Sequence, residues 1–305
     1  MSHPRVACIV LNYNGKEITL QALASLSRMT YPAFDLIHVD NGSADGSYEA
    51  VAEALPEVVQ VRIEENRGPT IGLNRGLEAG LAGDYEYLML LNNDIEVDPE
   101  MLTEMVRLAE TDPAIGCVGP KAFYYWDRER IWSAGGIIRF KESVTKERGN
   151  KALDHGQFDE DVEVDYLNGC AILMRRSVVE EVGMWDPIFN LAVEDADWCM
   201  RAKQRGYRCM YAHRAILYHM VATSAGGYVA RRTFYTGRAN AIFVRRYGGW
   251  YEWLTFVAFS VAGLPLAFLR ELPKRNHGAA LAKLRGIFAG LREPMTAPPK
   301  VGDPV

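Results

Sequence analysis

Four short, mostly apolar runs in the first third of the chain, Val6–Leu11, Leu36–Asp40, Val58–Ile63 and Tyr85–Leu91, leave few architectures open to it. They lack the strict alternation of half-exposed strands and suit a sheet covered on both faces. Between the first two runs, Ile18, Ala22, Leu23 and Leu26 fall on one face of a helix. Asp98-Pro99 opens another, with Asp98 as N-cap and Pro99 at the first helical position. Leu102, Met105, Val106 and Ala109 form its buried stripe, and Thr111-Asp112-Pro113 ends it. Strand and helix in alternation imply parallel pairing through right-handed crossovers. The fold class is therefore α/β, and residues 1–119 form a Rossmann-like half.

Past Gly119 the pattern loosens. Residues 120–247 hold aromatics and charge, a hairpin signal at Ser133-Ala134-Gly135-Gly136, and a strand-like run from Val164 to Met174. Ser177-Val178-Val179-Glu180 reads as a capping box closed by Gly183, residues 194–205 as a helix closed by Gly206, and Tyr207–Ala212 as a strand. Residues 248–293 are helical: Trp250–Leu269 is apolar, and Ala280, Leu281, Leu284, Ile287, Phe288 and Leu291 mark an amphipathic stripe. Residues 294–305, with Pro294, Pro298, Pro299 and Pro304, read as a disordered tail.

The 305 residues suffice for one large domain or two small ones. A net charge of −5 gives no global reason to expect nucleic acid as a partner. The five cysteines lack zinc spacing and sit among apolar residues, as buried thiols of a cytoplasmic protein do. The amino terminus has no secretory leader pattern. Trp250–Leu269 is long enough to span a bilayer, but Glu252, Gly263 and Pro265 interrupt it, which favours an interfacial or packed helix. Lys283, Arg285 and Arg292 flank the later amphipathic stripe, with Lys274 and Arg275 just before it. Peripheral contact with an anionic membrane, and packing against the catalytic domain or a dimer partner, account for this pattern equally well.

Several polar segments stand where open α/β sheets bind ligands, at the carboxyl ends of buried strands. Asp40 begins Asp40-Asn41-Gly42-Ser43, which is either a ligand-binding turn or an ordinary helix-capping one. Asn92-Asn93-Asp94 ends the fourth run and offers oxygen ligands of the type that hold Mg²⁺ or Mn²⁺ beside phosphates. Gly72, Gly76 and Gly80 recur every fourth residue, at a cost of about 1 kcal/mol each relative to alanine, so close helix–sheet packing or backbone approach to a nucleotide must offset them. G-x-G-x-x-G is absent. Glu194-Asp195-Ala196-Asp197-Trp198 is either an acid–base cluster or a helix start favoured by the macrodipole. His219 follows an apolar run and is read either as a structural histidine or as a metal ligand, with His213 as its competitor. The arginines at 231, 232, 238, 245 and 246 either bind phosphate or form a solvated basic face, and the glycines of Thr223–Gly227 suit a loop that closes over diphosphate.

Taken in order, Leu11-Asn12-Tyr13-Asn14-Gly15, Val39-Asp40-Asn41-Gly42-Ser43, Asn66-Arg67-Gly68 with Asn74, Leu91-Asn92-Asn93-Asp94, Tyr166-Leu167-Asn168-Gly169-Cys170 and Glu194-Asp195-Ala196-Asp197-Trp198 resemble the family 2 inverting glycosyltransferases, specifically the bacterial rhamnosyltransferases. The resemblance implies an A-type glycosyltransferase fold, a nucleotide-sugar donor (dTDP- or UDP-linked, foremost dTDP-L-rhamnose), a divalent Mn²⁺ or Mg²⁺, and a cell-surface glycan or lipid-linked acceptor. It assigns Asp195 as base with Glu194 orienting it, and Asp94 and His219 as metal ligands. The donor would meet Asn12, Tyr13, Asp40, Asn66, Arg67, Asn74, Asn93 and Arg238. Asn168, Trp185, Asp186, Asp197 and Trp198 would shape the acceptor site. Asn92 stands where the family commonly has a second acid, which gives His219 more weight and, as an imidazole, favours Mn²⁺. The alternatives are a nucleotidyltransferase, whose basic triphosphate loop would have only Lys16 here, and a non-catalytic binding module, which would have no use for a base.

Overall fold

The computed structural model describes residues 3–141, 143–221, 230–271 and 277–303. In order, the first part of the chain contains β1 (Val6–Asn12), α1 (Lys16–Leu26), β2 (Phe34–Asn41), α2 (Ser47–Ala54), β3 (Val59–Ile63), α3 (Pro69–Ala82), β4 (Tyr87–Asn92), β5 (Ile95–Val97), α4 (Met101–Ala109) and β6 (Ile115–Tyr124). The remainder contains β7 (Asp127–Ser133), β8 (Gly136–Ile138), β9 (Thr145–Glu147), β10 (Val162–Glu163), β11 (Ala171–Arg175), α5 (Arg176–Val182), α6 (Glu194–Gln204), β12 (Arg208–His219), α7 (Ala230–Tyr247), α8 (Trp250–Glu271) and α9 (His277–Arg292).

One mixed sheet runs in the order β10-β12-β6-β11-β4-β1-β2-β3, with β5 added on β12 and β7 on β6. β4, β1, β2 and β3 are mutually parallel, as expected from the alternating pattern. β11 runs antiparallel between β4 and β6. The order reverses at β1, so the carboxyl ends of β1, β2 and β4 open onto a crevice. Val6 to Val10 are all 0% exposed, which explains why β1 shows no polar alternation. Val6, Cys8 and Val10 pack with α1 and α4 residues on one face, while Ala7 and Ile9 pack with Leu73 and Leu77 of α3 on the other.

The glycine stripe belongs to this packing. A Cβ on Gly76 would lie 2.3 Å from Ile9 Cγ2, and one on Gly72 would lie 2.5 Å from Leu11 Cδ1. α3 therefore rides directly on β1, and the stripe is explained by a strand rather than a nucleotide.

The structure corrects several local expectations. Asp98 precedes α4 as a turn residue, accepting the Glu100 N–H at 2.9 Å, and Glu100 is the N-cap. α5 begins at Arg176 with no side-chain cap, so Ser177 forms no capping box. The Ser133–Gly136 turn does not join a hairpin: β7 pairs with β6, while β8 pairs with β9. The run from Val164 to Met174 is broken, and its first part forms a loop ahead of β11. β12 extends beyond Ala212 through an irregularity and reaches His219. Three of the buried cysteines, Cys117, Cys199 and Cys209, come together with their sulfurs within 4.8 Å of one another.

Residues 294–303 are not a free tail. They have no helix or strand, yet the Met184 N–H donates to the Pro299 carbonyl at 2.9 Å and Arg246 Nη2 to the Thr296 carbonyl at 3.2 Å. Prolines forbid regular structure here, but their carbonyls remain good acceptors.

Candidate active site

The carboxyl ends of β1 and β2 are tied together by Asn12. Its amide donates to Ser47 Oγ at 2.8 Å and Asp40 Oδ2 at 3.2 Å, and its carbonyl accepts from Thr19 Oγ1 at 2.9 Å and Asn93 Nδ2 at 3.0 Å. Asp40 also accepts the Ser43 N–H at 2.9 Å and is fully buried. Asn12, Asp40 and Asn93 thus form a polar cluster at the strand ends, closed by its own hydrogen bonds, and none of the three is on the wall of the cavity that holds Asp94 and Asp195. Tyr13 stands at the rim, 51% exposed.

Asp94 follows β4 directly, and β12 brings His219 to it from the far side of the sheet. β5 pairs with the end of β12, placing His219 opposite Ile95, and the Met220 N–H donates to the Asp94 carbonyl at 2.8 Å. His219 Nε2 consequently lies 3.1 Å from Asp94 Oδ1 and 3.5 Å from Asn92 Nδ2. Trp132 closes over the imidazole edge-on, with ring centroids 4.3 Å apart. Asp94 is 3% and His219 7% exposed, so the two resemblance-assigned ligands form one sheltered pair.

Asp195 occupies the first turn of α6. Its Oδ2 accepts the Gly169 N–H at 3.0 Å and its Oδ1 the Ala196 N–H at 2.7 Å. Val193, the N-cap, holds φ 60°, a conformation that is costly for a β-branched residue and turns the chain sharply into the helix. Glu194 Oε2 is buried with no partner among the described residues. Burial pushes the Glu194 carboxyl up to about 7. Burial, then the charges of Glu194 and Glu147, hold the Asp195 carboxyl well above its ordinary value. Carboxyls made this proton-avid are suited to proton transfer near neutral pH.

Asp94, His219, Glu194 and Asp195 line one cavity of about 380 Å³, together with Asn92, Asn168 and Trp185. Three further lining residues, Trp132, Thr145 and Glu147, were not legible as site residues in the sequence, whereas Arg232, one of the arginines weighed for phosphate binding, is on the wall. Arg232, Thr236 and Asn240 reach the cavity from α7 at intervals of four, a helical face whose spacing could have identified them.

Other assigned residues are placed elsewhere. Asn74 is fully buried and bonds the backbone of Trp185 in both directions, donating to its carbonyl at 2.8 Å and accepting from its N–H at 3.0 Å. It positions the Trp185 loop and does not line the cavity. Asp197 is buried against Arg201 Nε at 2.9 Å and Arg246 Nη1 at 2.8 Å, and Asp186 against Arg246 Nη2 at 2.7 Å. Trp198 is buried and donates to the Gly183 carbonyl at 3.0 Å. These three support the site from behind and are not part of its wall. Arg238 pairs with Glu293 at 2.8 Å and, with Arg67, faces a separate groove. Asn66 is exposed and caps its own turn through the Gly68 N–H at 2.8 Å. The glycine loop Thr223–Gly227 lies outside the described residues.

The sheet, crevice and cavity have counterparts among known proteins. A mannosyltransferase from Pyrobaculum calidifontis, solved with GDP-Man and Mn²⁺, superposes with a TM-score of 0.60 at 16% identity, over 95% of this chain and 88% of that one. The structure of S. aureus TarS 1-349 with UDP gives 0.55 at 17% identity, over 79% and 65%. These likenesses show the fold. In sequence, the poly-beta-1,6-N-acetyl-D-glucosamine synthase of Staphylococcus aureus (strain COL) is 24% identical over 235 residues, 76% of this chain and 54% of that protein. The chain thus spans about half the length of such relatives. The profile described as Glycosyl transferase family 2 matches residues 7–183, more than half of the chain. With an α/β sheet of A-type glycosyltransferase topology beneath that match, the chain belongs to glycosyl transferase family 2.

Proposed function

We propose that this protein is an inverting glycosyltransferase that moves a hexose from a nucleoside diphosphate donor to a hydroxyl of a glycan or lipid-linked acceptor. The observation that carries the reading is the convergence of the Asp94–His219 pair and the Glu194–Asp195 pair on one cavity. A buried carboxylate oxygen 3.1 Å from an imidazole nitrogen, with a carboxamide nearby, fits a divalent cation of the Mn²⁺ type. When bound, such a cation offsets charge on the departing diphosphate. Arg232, on the same wall, is placed to add a guanidinium to that task.

Asp195 supplies the base. It takes the proton of the acceptor hydroxyl as that oxygen bonds to the anomeric carbon, and the anomeric carbon–phosphate oxygen bond breaks with its electron pair leaving on the nucleoside diphosphate. The Gly169 and Ala196 N–H groups keep the carboxylate aimed while Glu194 shapes its proton affinity. Donor identity is the finer question. Motif resemblance supports dTDP-L-rhamnose, while similar proteins are named for N-acetylglucosamine and mannose chemistry.

Two measurements test the reading. Thermal unfolding with dTDP-, UDP- and GDP-sugars, with and without Mn²⁺, is expected to give metal-dependent stabilisation by one nucleotide class, about 2.7 kcal/mol at a hundredfold excess over Kd. Asp195→Asn is expected to lower kcat by about 10²–10⁴ while nucleotide affinity stays unchanged. An unchanged rate would remove Asp195 from the mechanism.

A further inference from the structure

Glu147 faces the same cavity as Asp195, yet no hydrogen bond joins it to Asp94, His219 or Asp195 among the described residues. It sits at the end of β9, carried over the cavity by the two-stranded β8–β9 unit. Its Oε1 accepts the Tyr166 hydroxyl at 2.6 Å and Asn168 Nδ2 at 3.0 Å, and its Oε2 accepts the Ser133 hydroxyl. Three neutral donors fix the carboxylate, and no lysine or arginine pairs with it among the described residues. Asn168 also precedes Gly169, whose N–H holds Asp195, so Glu147 and the base share one loop as support.

The charges around the cavity are unequal. Among the described residues its walls carry the carboxyl groups of Asp94, Glu147, Glu194 and Asp195 against a single guanidinium, that of Arg232. Metal binding employs Asp94, and the donor diphosphate employs Arg232. Glu147 then faces the acceptor with no cation paired to it among the described residues. Like charges brought together in a sheltered cavity exclude the wrong partner more strongly than they strengthen the right one.

We propose that Glu147, held by Tyr166 and Asn168, is a specificity-determining residue that admits neutral or amine-bearing acceptor sugars and rejects acceptors carrying a carboxylate, sulfate or phosphate. This rests on the glycosyltransferase reading. The 305-residue chain, loaded with Mn²⁺ and its stabilising nucleotide, is titrated with octyl glucoside, octyl 2-amino-2-deoxyglucoside and octyl glucuronide. Binding is followed by ligand-detected NMR, and kcat/KM is measured wherever transfer occurs. The glucuronide is expected to be weaker than the glucoside by about tenfold or more. Glu147→Gln should narrow that gap by raising the glucuronide, with donor KM unchanged. Gln retains a carbonyl for Tyr166 and Asn168 and offers an N–H to Ser133, whose hydroxyl already reaches the Gly135 carbonyl at 3.3 Å, so the support of the β8–β9 unit is kept.

Equal handling of glucuronide and glucoside by the unaltered protein overturns the inference. So does a uniform loss on all three in Glu147→Gln, or no binding of any at millimolar concentration. Donor hydrolysis without acceptor, read as nucleoside diphosphate release, reports the parent reading separately. Its presence alongside indiscriminate acceptors defeats the inference alone, while its absence removes the glycosyltransferase reading as well.

Discussion

At the scale of single residues, the Glu194–Asp195 pair sets how the protein responds to pH. Asp195 must be a carboxylate to accept a proton, and its own carboxyl is raised by burial and by the charges of Glu194 and Glu147. The rate of transfer is therefore expected to rise with pH along a limb displaced upward from the ordinary carboxyl range, a property of the coupled pair rather than of either acid alone. Glu194→Gln removes one neighbouring negative charge and should move that limb to lower pH in a profile of kcat/KM. Stability runs the other way. Between the ordinary carboxyl value of 4.5 and about 7, the native chain holds protons that the unfolded chain releases. Stability contributed by the protonated pair is thus full below that window and is lost as pH rises through it. Denaturant midpoints should fall across this range, and less so in Glu194→Gln.

Elements decide which polar residues reach the cavity, and here the sequence was only partly legible. Asn12, Asp40 and Asp94 could be placed because each ends a buried run, a signal carried by adjacent residues. In α6, consecutive side chains are about 100° apart, so Asp197, two positions on, points away from the face that Asp195 presents. The acidic run read as one site, but the helix divides it between cavity and core. The same rotation on α7 sends Arg238 to Glu293 and leaves Arg232 on the cavity wall. Glu147 gave no local signal, because its place depends on the β8–β9 unit folding against a loop from later in the chain. The inward faces of α6 and α7 are joined by Asp197, Arg201, Arg246, Asp186 and Tyr247, where Tyr247 OH meets Asp197 Oδ1 at 2.6 Å. Arg246→Ala would leave two buried carboxylates short of charge and is expected to cost about 3–5 kcal/mol in chemical denaturation. A loss below 1 kcal/mol would show that this network does not hold the two helices together.

For the molecule as a whole, the exposed surface of α8 stands out. Trp250 is 81%, Val261 68% and Leu266 66% exposed, an apolar face with little of the chain covering it. Together with Arg292 and the basic flank of α9, it supports a peripheral seat on an anionic bilayer, which would bring the cavity to a lipid-linked acceptor. Cosedimentation with phosphatidylglycerol vesicles is expected, weakened by Trp250→Glu with Leu254→Glu. Concentration-dependent dimerisation without vesicle binding would assign the face to a second copy instead. The contact of Met184 with Pro299 has a consequence in time. Pro299 follows Met184 by 115 residues, so at about 5–20 residues per second the ribosome delivers it roughly 6–23 s later. Until then the backbone just ahead of Trp185 lacks one of its anchors, and the wall of the cavity that it forms is completed only after Pro299 has been made.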